Sequence, residues 1–256
     1  MYYKNTLFVG KVLHNFDKLK STNEYALSLL SKSKPIEGTV ISTHFQTAGK
    51  GQIGSQWLVA PGKNITLSII LYPNFLPVPQ QFSLSQAVSL AVVDFITHFI
   101  SPELVKLKWP NDIYIGDKKS TGILIQNTIA GTRLQSSVIG LGINVNQVEF
   151  PAQLPNPTSI ALESGKSDYA LDDLKTLLFS CLEARYLQLK GQQWDRISTD
   201  YHAALYRLNE IHPFQSANGQ TFSGKITGVT KQGLLKITTE GEPLTFNMKE
   251  VTFAKQ

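Results

Sequence analysis

The stretch KWPNDIYIGDKKSTGIL, residues 108–124, determines the local architecture of this chain more clearly than any other. Gly116 and Asp117 form a two-residue turn signal between two strand-like runs, which predicts a tight β-hairpin. Pro110 disfavours a helical conformation in the residue before it, so the opening of the stretch is expected to be irregular. The stretch therefore predicts a bend followed by a rigid hairpin.

The hairpin turn also predicts a register across the two strands. Ile115 should pair with Lys118, Tyr114 with Lys119, and Asp112 with Thr121. Because side chains alternate along a strand, Asp112, Tyr114, Lys119 and Thr121 are then expected on one face, with Asp112 and Lys119 as diagonal neighbours. An acid and a lysine so placed suit charge stabilisation and proton transfer. The same pair also fits an ordinary surface ion pair, which contributes little to stability.

A second unusual segment is QTAGKGQIGSQW, residues 46–57, which combines flexibility with positive charge. Gly49, Gly51 and Gly54 can adopt positive φ and bring backbone N–H groups close to an anionic ligand. Lys50 adds a full positive charge. The segment matches neither a Walker A loop nor a dinucleotide fingerprint. Taken alone, it fits a mobile surface turn as well as a ligand-binding loop.

Two shorter motifs have both a structural and a functional interpretation. In STN, residues 21–23, Ser21 with Glu24 matches a helix capping box, and the same residues can direct polar groups into a ligand cleft. In GLGINVN, residues 140–146, an apolar strand ends in two asparagines. Their amides can bind a ligand, or they can mark a strand that runs into a polar turn.

Periodicity along the rest of the chain predicts both strands and helices. Strands are expected at 11–19, 38–45, 64–73 and through 104–146, and helices at 22–31, 83–99 and 171–206. From about Ile211 the pattern changes to short strands punctuated by glycine, with no helical period. That change predicts a small barrel-like domain of roughly 45 residues.

Composition indicates an ordinary globular protein and limits its possible functions. The chain has 256 residues, of which 42% are apolar and 17% charged, and a net charge of +5. This excess suits anionic ligands such as nucleotides but is too small to imply nucleic-acid or membrane binding. The single cysteine, Cys181, excludes an intrachain disulfide framework, and no run approaches the roughly 20 apolar residues of a membrane span. A cytoplasmic protein is therefore predicted.

Four segments together resemble one family through their order along the chain. They are STNEYA, QTAGKGQIGSQW, KWPNDIYIGDKKSTGILIQ and VIGLGINVN, and they resemble the biotin protein ligase family over residues 10–206. The resemblance implies an α+β fold with a mixed β-sheet flanked by helices, like the class II synthetase-like catalytic domain of biotin and lipoate ligases. It also implies a catalytic domain at 1–209 and a small SH3-like β-barrel domain at 210–256.

The resemblance assigns roles to individual positions of this sequence. Catalysis is implied for Lys119, Lys50 and Asp112, the last near the entry of an acceptor lysine. Biotin binding is implied for Ser21, Thr22, Asn23, Gln46, Gly49, Lys50, Gly51, Lys119 and Gly122. ATP or adenylate binding is implied for Lys50, Gln52, Trp57, Asn111, Lys119 and Asn144. No protein-built metal site is expected.

The activity implied by the resemblance has two steps. Biotin and ATP, with Mg²⁺, give biotinyl-5′-AMP and pyrophosphate, and the biotinyl group then passes to a lysine of a biotin carboxyl carrier domain. The glycine loop would close over the reactive adenylate and exclude water. The implied partners are biotin, ATP and the carrier protein of a biotin-dependent carboxylase, with neither nucleic acid nor membrane. The sequence leaves open whether the protein forms a homodimer.

This sequence also departs from the family pattern. The family loop is usually written GRGRxGRxW, and its three arginine positions are Lys50, Gln52 and Ser55 here, so either weaker retention of the intermediate or compensation by other basic residues is expected. Gln126 stands where an acid usually follows the GIL segment. Because STN begins at residue 21, an N-terminal helix-turn-helix domain and transcriptional repression are not expected.

Three rival functions remain open at this stage. A lipoate ligase or octanoyltransferase would share the fold and the carboxylate chemistry, but the KWPND and GKGQIGSQW blocks favour biotin. A nucleic-acid-binding module would use the basic surface and the C-terminal domain, where interleaved basic and aromatic residues are missing. An inactive ligase that only binds biotin is suggested by the neutral loop positions, and the preserved lysine of the hairpin argues against it.

Overall fold

A seven-stranded mixed β-sheet forms the centre of the protein, whose computed structural model describes residues 6–52 and 54–254. Its strands are β1 (Leu13–Leu19), β2 (Val40–Gln46), β3 (Ile65–Leu71), β4 (Val105–Lys108), β5 (Asp112–Ile115), β6 (Lys118–Ala130) and β7 (Arg133–Ile143). They lie in the order β1-β2-β3-β7-β6-β5-β4. β1 and β2 are parallel, and the other neighbours are antiparallel. The predicted mixed sheet is confirmed.

Helices cover both faces of this sheet. They are α1 (Thr22–Lys32), α2 (Phe82–Ile96), α3 (Ile160–Ser164), α4 (Leu171–Lys190) and α5 (Trp194–Ala203). α1 packs on one face, where Ala26 meets Ile41, Ile70 and Val138. α2 packs on the other face and is itself covered by α4 and α5. All seven residues of β3 are buried because alternate side chains serve these two cores.

The predicted helices are found, with two differences. The apolar positions that predicted α2 are all buried: Leu84, Ala87, Val88, Ala91, Val92 and Phe95. The helical run predicted at 171–206 is two helices, because the chain turns after Lys190 and Gln192 adopts a positive φ of 59°. α3 was not predicted, since five residues are too few to show a helical period.

The register of the hairpin differs from the prediction at one pair. Ile115 pairs with Lys118 and Tyr114 with Lys119, as predicted, but Asp112 pairs with Gly122 instead of Thr121. The register shifts between Ile113 and Tyr114, where β6 contains one residue more than β5. Such a β-bulge breaks strict alternation, which a count of residues from the turn cannot detect.

A separate antiparallel sheet follows at the C-terminal end. Its strands are β8 (Ile211–Ser216), β9 (Thr221–Val229), β10 (Leu235–Thr238), β11 (Pro243–Phe246) and β12 (Val251–Phe253), in the order β11-β10-β9-β8-β12. Phe214 lies at its centre, stacked on Phe222 and close to Phe253. The fold class, a helix-flanked mixed sheet with a small C-terminal β domain, is confirmed. The limits 1–209 and 210–256 remain a prediction.

Cys181 lies on α4, and burial raises the pKa of its thiol to about 12, so the thiolate is scarce at neutral pH. Within the described residues, no helix is both long enough and apolar enough to cross a bilayer.

Candidate functional site

A cavity of about 440 Å³ lies above β6 and β7, between the start of α1, the glycine loop and the hairpin. Its volume is within the usual range for a small-molecule site. The predicted site residues that line it are Ser21, Thr22, Asn23, Gln46, Lys50, Gly51, Gln52, Trp57, Asn111, Asp112, Lys119, Gly122 and Asn144. Gly49 lies beside the wall, where a Cβ atom would overlap the carbonyl of Trp57.

A buried polar network forms one end of the cavity. Gln46 Oε1 accepts hydrogen bonds from the Thr22 backbone N–H (2.8 Å) and hydroxyl (3.2 Å). Asn23 Nδ2 donates to Gln126 Oε1 at 2.9 Å. The Ser68 hydroxyl lies 2.7 Å from the Thr22 hydroxyl and 2.5 Å from Asn23 Oδ1, and its proton serves one of them. Full pairing holds these groups in one orientation.

Ser21 connects this network to the glycine loop through helix α1. Its hydroxyl accepts from the backbone N–H of Glu24 at 3.4 Å, so the predicted N-cap is found. The Glu24 carboxylate does not complete a capping box in the described contacts and instead pairs with Lys50 Nζ at 2.5 Å. The loop cation is therefore held against the first turn of α1.

The glycine loop folds as a small hairpin. The Gly51 backbone N–H donates to the Ser55 carbonyl (2.8 Å), and the Trp57 N–H donates to the Gly49 carbonyl (2.9 Å). The Ser55 hydroxyl donates to the Gln52 carbonyl at 2.5 Å. The neutral residue at position 55 is thus used to close the loop.

The predicted positive φ values of this loop are confirmed at only one of the three glycines. Gly54 has φ +79°, whereas Gly49 and Gly51 do not lie in the left-handed region. These two are required by close packing instead, because a Cβ at Gly51 would lie 2.5 Å from the Ser55 hydroxyl oxygen. Ile53, within the same predicted loop, lies outside the described residues.

Two paired glycines form the floor of the cavity. Gly122 on β6 lies opposite Gly142 on β7, and the indole of Trp57 lies on both. A Cβ at Gly142 would overlap the indole, and one at Gly122 would lie 3.0 Å from it. A Cβ at Gly140 would likewise overlap the side chain of Asn23. Gly140 and Gly142 were missed by the sequence analysis, although glycine within an apolar strand signals close approach of another group.

The hairpin lysine lies at the opposite side of the cavity. Lys119 Nζ is 2.7 Å from Asp112 Oδ1 and 5.8 Å from the centre of the Trp57 indole. The diagonal contact predicted for these two charges is therefore found despite the shifted register. The Lys119 side chain is 33% exposed and faces the cavity, so its charge can reach a ligand.

The backbone of Lys119 is held by a proline-rich segment that the sequence analysis missed. Its N–H donates to the Asn156 carbonyl (2.7 Å), and its carbonyl accepts from the Thr158 N–H (2.9 Å). The same segment contributes three apolar residues to the cavity wall: Leu154, Pro155 and Pro157. In the sequence, Pro155 and Pro157 indicate a loop and nothing more specific.

Tyr114, behind the lysine, carries no charge at neutral pH. Burial, assisted by the Asp112 carboxylate, raises its pKa to about 12. Lys108 Nζ donates to the Tyr114 hydroxyl at 2.8 Å, and burial lowers the pKa of this lysine. Tyr114 therefore adds no negative charge beside Lys119, and the carboxylate paired with that lysine is Asp112.

Two polar atoms on the cavity lining have no partner within the described part of the chain. They are Asn144 Oδ1 and Trp57 Nε1, both buried. Asn144 is anchored through its other atom, because Nδ2 donates to the Thr158 carbonyl at 2.9 Å. An unpaired buried acceptor and donor cost free energy unless a ligand or water satisfies them, which favours a polar ligand here.

The fold has close relatives among solved structures. Biotin protein ligase from Aquifex aeolicus, in complex with biotin and ATP, has a TM-score of 0.77 at 23% identity over 96% of this chain and 100% of that chain. The Leishmania major biotin protein ligase in complex with biotinyl-5-AMP has a TM-score of 0.56 at 19% identity over 93% and 99%. These two likenesses identify the fold of this chain.

Sequence comparison identifies the family to which this chain belongs. The model of the biotin/lipoate A/B protein ligase family matches residues 15–144. The bifunctional ligase/repressor BirA of Bacillus spizizenii is 32% identical over 92% of this chain and 72% of its own length. The biotin–[acetyl-CoA-carboxylase] ligase of Mycobacterium tuberculosis is 29% identical over 90% and 85%. This chain belongs to the biotin/lipoate A/B protein ligase family.

Proposed function

We propose that the protein is a biotin protein ligase, which activates biotin with ATP and transfers it to a lysine of a biotin carboxyl carrier domain. One observation carries the proposal: the hairpin lysine Lys119 and the glycine-loop lysine Lys50 line the same cavity of about 440 Å³. The Mycobacterium tuberculosis relative and the two solved structures named above are biotin ligases, which favours biotin over lipoate as the acid.

The first half-reaction joins two anions. A carboxylate oxygen of biotin forms a bond to the α-phosphorus of ATP, and the bond from that phosphorus to the bridging oxygen breaks, so pyrophosphate leaves with the electron pair. Lys119 and Lys50 offset the negative charge that accumulates at the phosphorus. A water-poor cavity strengthens this effect because its effective dielectric constant is below that of water.

The residues are assigned to the two substrates as the family resemblance implies. Biotin is assigned to Ser21, Thr22, Asn23, Gln46, Gly49, Lys50, Gly51, Lys119 and Gly122. The nucleotide is assigned to Lys50, Gln52, Trp57, Asn111, Lys119 and Asn144. The unpaired Asn144 Oδ1 and Trp57 Nε1 support a polar ligand beside them.

The second half-reaction forms an amide. The amine of the carrier lysine attacks the carbonyl carbon of the mixed anhydride, the carbon–oxygen bond breaks, and AMP leaves with the electron pair. The attacking amine loses a proton, and Asp112 is assigned to orient that amine or accept the proton. Its side chain is 20% exposed and lies 2.7 Å from Lys119 Nζ, and its position on the cavity wall supports this role.

Magnesium is proposed as a companion of the nucleotide and not as a resident ion. No group of three potential metal ligands from His, Cys, Asp and Glu occurs among residues 6–52 and 54–254. The carboxylate at the cavity, Asp112, is paired with Lys119. Mg²⁺ is commonly held by substrate phosphates and water in such sites, so MgATP is the substrate proposed.

The remaining partners follow from this chemistry. A biotin carboxyl carrier domain is the proposed acceptor, and no role for nucleic acid or membrane is needed in the reaction. A cytoplasmic location is proposed on the same grounds. Whether the protein forms a homodimer stays an open prediction.

A mass measurement tests the proposed function. The protein is incubated with biotin, MgATP and a carrier domain, and the carrier is then weighed for one added biotinyl group. Parallel reactions contain lipoate in place of biotin, or omit ATP. Modification by lipoate but not by biotin would replace the proposal with a lipoate ligase, and modification by neither would leave only a binding protein.

Lys50→Ala is expected to release biotinyl-5′-AMP about fivefold faster than the wild type. The substitution removes both the loop charge and the ion pair with Glu24 that holds the loop to α1. Release is measured by loading the enzyme with radiolabelled biotin and MgATP and chasing with unlabelled intermediate. Lys63→Ala, an exposed lysine outside the cavity lining, is the matched control.

Glu24→Gln separates the two contributions of Lys50. This variant keeps the loop charge but removes the ion pair. If it releases biotinyl-5′-AMP as fast as Lys50→Ala does, the ion pair that holds the loop to α1 is what retains the intermediate. If Lys50→Ala releases the intermediate at the wild-type rate, the loop does not retain it.

A further inference from the structure

The C-terminal sheet contributes a charged residue to the active-site cavity. Lys249 lies in the turn between β11 and β12, and it lines the cavity together with Lys50, Gln52 and Ser55. Of the residues described after position 210, it is the one found on the cavity wall. The two sheets therefore meet at the site that we assign to the nucleotide.

The conformation of this turn makes lysine an unusual choice. Lys249 has φ +68°, in the left-handed region that favours glycine. Glu250 stabilises the turn, since its carboxylate accepts from the Asn247 N–H and its carbonyl accepts from the Ala217 N–H at 2.9 Å. Glycine would satisfy the turn at lower conformational cost, so the side chain itself calls for an explanation.

Hydrogen bonds attach the C-terminal sheet to the larger domain. Trp109 Nε1, in the bend before the hairpin, donates to the Gly233 carbonyl at 2.9 Å. His202 Nε2 accepts from the Val229 N–H at 3.0 Å. The C-terminal sheet is thus attached to the bend that also carries Asn111 of the cavity wall.

The charges of the cavity show why a further cation is useful. Lys50 is paired with Glu24 and Lys119 with Asp112, while positions 52 and 55 are neutral. A nucleoside triphosphate brings several negative charges into this space, and each cation on the cavity wall lowers the electrostatic cost of binding it.

We propose that Lys249 binds the phosphate chain of the nucleotide and compensates for the neutral residues Gln52 and Ser55. This inference rests on the proposed function for the identity of the nucleotide.

Equilibrium binding of MgATP tests the inference directly. Titration calorimetry at low ionic strength should show a Kd about tenfold higher for Lys249→Gln than for the wild type, which corresponds to about 1.4 kcal/mol. Lys249→Arg should remain close to the wild type. The control is Lys236→Gln, an exposed lysine on β10 outside the cavity lining. Added salt should weaken binding more in the wild type than in Lys249→Gln, because screening acts on the charge that the variant lacks.

Lys249→Gly distinguishes loss of the charge from distortion of the turn. It removes the charge but favours the left-handed turn, so it should bind MgATP as weakly as Lys249→Gln with an unchanged or raised Tm. A Kd for Lys249→Gln within about twofold of the wild type would overturn the inference. So would an altered KM for the carrier domain at unchanged MgATP affinity, which would make Lys249 part of the acceptor-docking surface.

The two proposals can fail separately. If the wild type binds MgATP through Lys249 but does not biotinylate a carrier, the proposed function is wrong and the inference stands. If the wild type biotinylates the carrier and Lys249→Gln binds MgATP normally, the inference alone is wrong.

Discussion

Lys119→Gln is expected to slow biotinyl-5′-AMP formation by about three orders of magnitude and to leave the fold intact. The substitution removes the hairpin charge that lies at the cavity while retaining a side chain of similar length. It also leaves the Asp112 carboxylate, formerly 2.7 Å from Lys119 Nζ, unopposed where negative charge develops. The fold should survive because this side chain is one-third exposed and the segment is held through its backbone.

The rate is measured in single turnover by following the formation of biotinyl-5′-AMP, together with thermal unfolding of each variant. Lys118→Gln is the matched control, because this neighbouring lysine pairs with Glu163 at 3.1 Å and does not line the cavity. The double variant Asp112→Asn with Lys119→Gln should recover part of the loss by removing the unopposed carboxylate. A Lys119→Gln rate within about tenfold of the wild type would contradict the assigned role.

Gly142→Ala is expected to lower kcat/KM for biotin by about 100-fold, although only a methyl group is added. The new Cβ would overlap the indole of Trp57, and the strand cannot retreat because Gly142 is paired with Thr66 and Gly122 on its two sides. The indole must therefore move, and it takes the glycine loop with it through the hydrogen bond from Trp57 N–H to Gly49.

The two floor glycines provide an internal comparison. A Cβ at Gly122 would lie 3.0 Å from the indole, so Gly122→Ala should cost less activity than Gly142→Ala. Gly241→Ala, where the added Cβ meets nothing within 4 Å, should behave as the wild type. In the Trp57→Ala background, Gly142→Ala should have little further effect, since the clashing group is gone. An undiminished effect there would show that the indole is not the cause.

Most of the candidate site was predicted from the order of four segments, which resembles that of the biotin protein ligase family. Short-range rules for helix starts, turns and strand alternation predicted only the cap at Ser21 and the pair Asp112–Lys119, and they left an ordinary structural role open for each. The structure places these predicted groups around one cavity. Their roles in binding and catalysis remain proposals that the variants above test.

Residues that reach the site from distant segments could not be recognised in this way. Ser68, which contacts Thr22 and Asn23, lies on β3, a strand whose seven residues are all buried. Lys249 lies in a turn between two strands of the C-terminal sheet. The β-bulge that moves Asp112 opposite Gly122 is also invisible to a period of two. Each of these depends on which strands become neighbours, and pattern along the chain does not specify that.

By itself, the sequence determined most helices and strands through hydrophobic periodicity and turn chemistry, which act over a few residues, whereas its resemblance to a family implied the α+β class and most candidate site residues. Only the tertiary structure showed that the paired glycines make room for the Trp57 indole and that close packing requires glycine at two positions of the loop. It also showed that a lysine beside the C-terminal strands lines the cavity. The physical reason is that steric contact and charge act through space, so they depend on distances that only the assembled sheets establish.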